Sequence, residues 1–174
     1  MIKFRPTIKY LSILTLFTFV FFLSGCMITP NNYLIDERFE NEFLSKIKQD
    51  SALYFDYQYD VLTPQKSFFI DNKLKYLKFR HGPEVGFVEC RLTFDLTNDS
   101  IEKYTLREVL PNFERDNNEK VNDTIFVFYP KNHISEIYYD NKLISKTYRQ
   151  DIFVTQLKYI YELKSNTQNR FNSR

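Results

Sequence analysis

Apolar side chains recur every four residues at Ile35, Phe39, Phe43 and Ile47, with Leu44 beside them and polar residues between. That spacing predicts an amphipathic helix from Tyr33 to Lys48. Asn31 and Asn32 can cap its start, Asp36 and Glu37 fall in the first turn, and Lys46 and Lys48 fall in the last, which complements the helix dipole. From Ser51 the period falls to two. Leu53, Phe55, Tyr57, Tyr59 and Val61 alternate with Tyr54, Asp56, Gln58 and Asp60, the pattern of a half-buried strand. Val88, Cys90, Leu92, Phe94 and Leu96 alternate in the same way with Glu89, Arg91, Thr93 and Asp95, and Thr124 to Tyr129 is an unbroken β-favouring run suited to a central strand. Further strands are predicted over Ser67–Ile70, Leu74–Arg80, Ile101–Leu110, Ile134–Tyr139 and Leu143–Arg149.

Short connections at Asp71-Asn72-Lys73, Asn98-Asp99 and Asp140-Asn141-Lys142 suit hairpins, with Asn or Asp taking the left-handed positions that scarce glycine cannot. The expected fold is therefore α+β: an N-terminal amphipathic helix packed on a mostly antiparallel β-meander, in one domain over residues 33–164. Asp71-Asn72-Lys73-Leu74 recurs as Asp140-Asn141-Lys142-Leu143, each followed five residues on by an aromatic and an arginine, Phe79-Arg80 and Tyr148-Arg149. A duplicated meander would leave such a trace, but the flanks do not align without gaps, which favours one turn solution used twice. Ile152 to Lys164 fits a helix through Phe153, Val154, Leu157, Ile160 and Tyr161 and a strand through Phe153, Leu157, Tyr159, Tyr161 and Leu163; Asp151, a good cap, favours a C-terminal helix. The polar residues 165–174 are expected to be disordered. Pro111 to Asp123 reads as one long solvated loop, since Lys120 stands where a calcium site would need an oxygen ligand.

Ahead of this body, Met1 to Lys9 carries Lys3, Arg5 and Lys9 with no acid, Tyr10 to Leu23 is a 14-residue uncharged run, and Leu23-Ser24-Gly25-Cys26 follows directly. These are the three parts of a signal peptide, residues 1–25. A bilayer crossing needs roughly 20 apolar residues, so the run is too short for one. Leu23-Ser24-Gly25-Cys26 resembles the lipobox of bacterial lipoproteins. The resemblance implies cleavage before Cys26, acylation of its sulfur by palmitate-type chains, and a lipidated tether over residues 26–32. Two or three acyl chains hold stably where one is marginal, because each buried CH₂ contributes about 0.8 kcal/mol. Met27, rather than Asp, follows the cysteine, and no acidic cluster precedes Asp36-Glu37. Among such lipoproteins that pattern points to the outer membrane, facing the periplasm.

The whole chain of 174 residues has a formal charge of +2, but the leader supplies it: without residues 1–25 there are 21 basic against 22 acidic side chains. A body so balanced has no electrostatic case for nucleic acid. The whole chain is 43% hydrophobic and 18% aromatic, enough apolar side chains for a folded core. Only Gly82 and Gly86 remain after the leader, too few for a phosphate-cradling loop. His81 and His133 stand 52 residues apart with no zinc-binding pattern, so neither metal nor other cofactor is expected. Cys90 lies on the apolar face of its strand and reads as a core residue. No Gly-x-Ser-x-Gly or Ser-x-x-Lys motif supports a serine hydrolase.

What chemistry remains is sparse. Glu84 and Glu89 could face each other across a cleft, as in glycosidases, although solvated charges are the plainer reading. Arg80-His81-Gly82-Pro83-Glu84 joins ionisable groups to a turn and makes Arg80, His81 and Glu84 the candidate functional loop. Tyr54, on the polar side of its strand, could serve as an aromatic platform. Asp50-Ser51-Ala52, Asp99-Ser100-Ile101 and Asp123-Thr124-Ile125 resemble an Asp-Ser/Thr-aliphatic acceptor of bacterial O-glycosylation, which nominates Ser51, Ser100 and Thr124 between predicted elements; turn-ending side-chain hydrogen bonds account for the same pattern. The function expected is that of a non-catalytic binding or accessory lipoprotein, held to the membrane through Cys26 and facing an envelope protein or glycan. The alternatives are an envelope hydrolase acting on glycan or peptidoglycan through carboxylates, and an immunity or inhibitor lipoprotein.

Overall fold

The computed structural model describes residues 34–82, 86–112, 120–147 and 150–174. The leader, Cys26 and its tether, Asn31, Asn32, Glu84 and the Tyr148-Arg149 pair lie outside the described residues. Helix α1 (Leu34–Gln49) precedes eight strands, β1 (Leu53–Phe55), β2 (Gln65–Ile70), β3 (Lys73–His81), β4 (Phe87–Phe94), β5 (Ile101–Asn112), β6 (Lys120–Tyr129), β7 (Ile134–Tyr139) and β8 (Lys142–Lys146). Helix α2 (Gln150–Asn172) closes the chain. The strands form one open sheet in sequence order, every neighbouring pair antiparallel. The fold is α+β.

Turn chemistry explains the meander. Asp71 and Asn72 adopt φ of 48° and 62°, and Asp140 and Asn141 adopt 47° and 63°, so both two-residue hairpins use a pair of left-handed residues whose short polar side chains tolerate that region. Both hairpins then carry a bulge at the same place: Phe69 pairs with Leu74 but Phe68 with Tyr76, and Tyr138 pairs with Leu143 but Ile137 with Ser145. Yet Phe69 belongs to the cluster that meets α2, while Tyr138 is buried with Ile125 and Val127 on the other face. The copies share local turn geometry and differ in which face they bury.

Three expectations need correction. The strand predicted through Val61 ends at Phe55. Beyond it the Gln58 side-chain amide donates to the Gln65 carbonyl and accepts from the Gln65 N–H, both at 2.9 Å, so a side chain satisfies backbone groups that a longer strand would have paired. The loop expected over Pro111–Asp123 is in part a ladder, since Pro111 pairs with Val121 and Asn112 with Lys120. Strand β4 reaches only to the partner of Val109, so Pro111 occupies an edge position where its missing N–H costs nothing. The stretch expected to be disordered after Lys164 is helical to Asn172. Its polar side chains find partners far away: the Gln65 amide donates to the Thr167 hydroxyl at 2.8 Å, the Leu74 N–H donates to Gln168 Oε1 at 2.9 Å, and Gln168 Nε2 donates to the Asn72 carbonyl at 2.8 Å. Phe171 stacks on Phe69 with ring centroids 3.8 Å apart.

The main core lies between the sheet and α2, where Leu77, Phe79, Cys90, Leu92, Phe94 and Tyr104 meet Ile160 and Leu163, all at most 1% exposed. On the opposite face Phe39 is buried with Ile125, Val127 and Tyr138, and Phe43 and Ile47 are buried with Tyr76. Helix α1 ends in a Schellman-type cap, with Ser51 at φ 49°, the Ser51 N–H donating to the Lys48 carbonyl and the Ala52 N–H to that of Ile47. Among the described residues no helix is long and apolar enough to cross a membrane.

Candidate functional site

Strand alternation that turns Leu77, Phe79, Cys90, Leu92, Tyr104 and Leu106 toward α2 turns Lys78, Arg91, Lys103 and Arg107 to the other face, three adjacent strands contributing four bases. Helix α1 sets Asp36, Glu40 and Glu42 against them. Arg91, whose side chain is 3% exposed, is ion-paired with Asp36 at 2.8 Å, with Glu40 at 2.6 Å and with Glu89 on its own strand. Lys78 reaches Glu40 at 2.8 Å and Glu89 at 3.3 Å. Arg107 holds Asp36 at 2.5 Å and Asp123 through two hydrogen bonds, and Lys103 holds Glu42 at 2.7 Å. Burial alone would raise the Glu40 carboxyl, but the hydrogen bonds and charges of Lys78 and Arg91 outweigh it and keep Glu40 below its usual value. For Arg91 burial opposes the charge, and the surrounding carboxylates overcome it.

The candidate loop looks different in three dimensions. Arg80 and His81 are consecutive on β3 and therefore point to opposite faces. The Arg80 guanidinium lies over the Phe87 ring, 3.7 Å from its centroid. His81 stacks on Phe79 at 5.9 Å and stands 6.2 Å from the Tyr159 ring on α2. Burial pushes the His81 pKa down, and both His81 Nε2 and the Tyr159 hydroxyl are buried without a hydrogen-bond partner among the described residues. Glu89, the acid that could have faced Glu84, is engaged by Arg91 and Lys78.

One acid escaped the sequence reading. Glu108 shares a sheet row with His81, because His81 pairs with Val88 and Val88 with Glu108, which places the two roughly 10 Å apart across the intervening strand. It is half-buried, its carboxyl has no hydrogen-bond or ion-pair partner among the described residues, and burial pushes its pKa up. The available signal was a glutamate at an inward position of β5, in phase with Tyr104 and Leu106.

The remaining nominated residues scatter. Ser51 is the left-handed cap of α1, and the Ser100 N–H and hydroxyl both donate to Asn98 Oδ1, at 3.1 and 2.7 Å. Thr124 lies within β6, paired with Glu108 and Tyr139, and not between elements. Tyr54, 48% exposed, leans on Phe68 with ring centroids 5.5 Å apart. Cys90 is fully buried, its sulfur 3.4 Å from the Tyr104 hydroxyl, and burial pushes its thiol up to about 12. His133 closes the short turn Pro130–Asn132. Among the described residues no three His, Cys, Asp or Glu side chains are placed to hold a metal ion. Compared with models of known protein families, with curated proteins and with solved structures, the chain matches none of them.

Proposed function

We propose that this chain is a lipid-anchored protein of the cell envelope whose body is a non-catalytic binding or accessory module, with α1 serving as a cover of the sheet and not as a membrane-surface helix. The observation that carries the anchor is Leu23-Ser24-Gly25-Cys26 closing a 14-residue uncharged run directly behind three basic residues. Acylated at Cys26, the protein sits at the outer membrane facing the periplasm. Support for α1 as a cover comes from Phe39, Phe43 and Ile47, each at most 9% exposed, and from the carboxylates of Asp36, Glu40 and Glu42 directed at sheet bases. Support for binding comes from apolar side chains left in solvent at both edges of the sheet, Leu53 and Tyr54 on β1 and Leu143 and Ile144 on β8.

The test is acyl labelling. Cells supplied with a fatty-acid probe label the wild type at Cys26, and Cys26→Ala abolishes both label and processing; unchanged labelling in the mutant refutes the anchor. A second reading, a hydrolase working on glycan through a carboxyl group, is favoured by Glu108 alone, a half-buried acid with no partner among the described residues, on the same sheet row as His81 with one strand between them. Soluble fragments released from cell-wall sacculi by the wild type and not by Glu108→Gln would replace the binding reading with that one.

A further inference from the structure

The two helices meet the sheet by different physics. Helix α2 contributes Ile160 and Leu163, both fully buried among apolar neighbours. Helix α1 contributes apolar side chains on either side of a charged centre, where Asp36, Glu40 and Glu42 lie on Lys78, Arg91, Lys103 and Arg107. Its fit there is imperfect. A cavity of about 10 Å³, room for one water, remains between Phe39 and Phe43 above and Arg91, Thr93 and Thr105 below. The 2.8 Å approach of Arg91 Nη1 to Asp36 Oδ1 leaves both buried atoms without an aligned hydrogen bond.

An ion-pair network, whether half-exposed as at Glu40 and Glu42 or buried as at Arg91, adds little stability over an apolar contact of the same size, so a cover needed only for stability gains nothing from it. What charge complementarity does supply is orientation, selectivity among partners and two surfaces that hydrate well once parted. The four bases stand on the sheet and remain in place if the helix leaves. With Glu89, Asp123 and Glu136 as acids of that face, the last paired with Lys146, the exposed floor then carries net positive charge.

We propose that the basic floor formed by Lys78, Arg91, Lys103 and Arg107 is a docking surface for an acidic amphipathic helix of a partner protein, and that α1 is its built-in occupant, displaced when the partner docks. The chemistry of the partner helix follows from α1 itself: carboxylates at i, i+4 and i+6, as at Asp36, Glu40 and Glu42, and aromatic side chains at i+3 and i+7, as at Phe39 and Phe43. This inference rests on α1 being the cover of the sheet.

The experiment uses full-length protein in detergent and a fluorescent synthetic peptide of residues 34–49 as probe. Tethered α1 competes at high effective concentration, so the wild type binds the peptide weakly. Glu40→Gln, which loosens the tethered helix, is expected to bind at least tenfold more tightly. Adding Arg91→Gln, or Lys103→Gln should the first variant fail to fold, is expected to remove that gain. A peptide neutralised by Asp36→Asn, Glu40→Gln and Glu42→Gln is expected to lose it too, and raised salt weakens binding. Three results overturn the proposal: equal binding by the charged and neutralised peptides, no gain in Glu40→Gln, or loss of the gain to phosphatidylglycerol vesicles or to self-association seen by light scattering. If α1 is not a cover at all, Phe43→Ala leaves the melting curve unchanged; if it is a cover but not a displaceable one, Phe43→Ala destabilises while no variant binds the peptide.

Discussion

Asn141, in the turn between β7 and β8, accepts a hydrogen bond at its side-chain oxygen from the backbone N–H of Ile35, 3.1 Å away and 106 residues earlier in the chain. The same residue holds φ at 63° to close its hairpin. One asparagine thus serves two elements, satisfying an orphan N–H in the first turn of α1 while making a left-handed turn that most residues resist.

The two roles separate by substitution. Asn141→Gly retains the left-handed freedom and removes the cap, and should cost about 1 kcal/mol. Asn141→Ala loses both and should cost a further 1 to 2 kcal/mol or so. Urea denaturation of the wild type and both variants checks this: a glycine variant as stable as the wild type would mean that the cap contributes nothing, and equal stability of the two variants that the left-handed turn costs alanine nothing.

Phe43 is 7% exposed and meets Tyr76 edge to face at 5.7 Å. If α1 covers the sheet, Phe43→Ala leaves a cavity and lowers the stability of the unacylated body beginning at Met27 by roughly 3 to 5 kcal/mol. A helix lying in the bilayer would leave that body indifferent, so superimposable thermal melts refute the packed arrangement.

Two glutamates should titrate stability in opposite senses. Burial raises the folded pKa of Glu108, so its contribution is fully present below the unfolded carboxylate value and is lost as pH rises through the raised one. Glu108→Gln should therefore stabilise the protein at pH 7 and change little near pH 3. Glu40 is depressed by Lys78 and Arg91 beyond what burial costs it; its contribution is present above the unfolded value and is lost as pH falls through the lowered one. Glu40→Gln should flatten the acid side of the stability profile. Denaturant midpoints measured from pH 3 to 8 test both, and a Glu108→Gln profile parallel to the wild type contradicts the first.

Cys90 should be inert in the native state. With its thiol pushed up to about 12 and no exposed surface, almost no thiolate forms at pH 8. Cys90→Ala should cost about 1 kcal/mol, less than the larger core truncations. Reaction with a thiol reagent as fast in native protein as in urea would show that the strand opens.

By itself the sequence determined what depends on neighbours along the chain. The four-residue stripe of Ile35, Phe39, Phe43 and Ile47, the period-two strands around Cys90 and the Asp-Asn turns at 71–72 and 140–141 were legible because backbone preference and side-chain direction act over a few residues. Partners that meet only after folding were not. Gln58 pairs with the backbone of Gln65 and ends β1 early, and Thr167 and Gln168 bond to β2 and to the β2–β3 turn, so a tail polar enough to read as disordered is a helix. Arg91 read as a polar strand position beside Glu89, and its ion pairs with Asp36 and Glu40 come only from folding, just as Glu108 gained its unusual environment only from the strands on either side. Periodicity says which face a side chain takes, whereas its partners, and so its charge state and its chemistry, are decided by residues tens of positions away that only the tertiary structure brings within 3 Å.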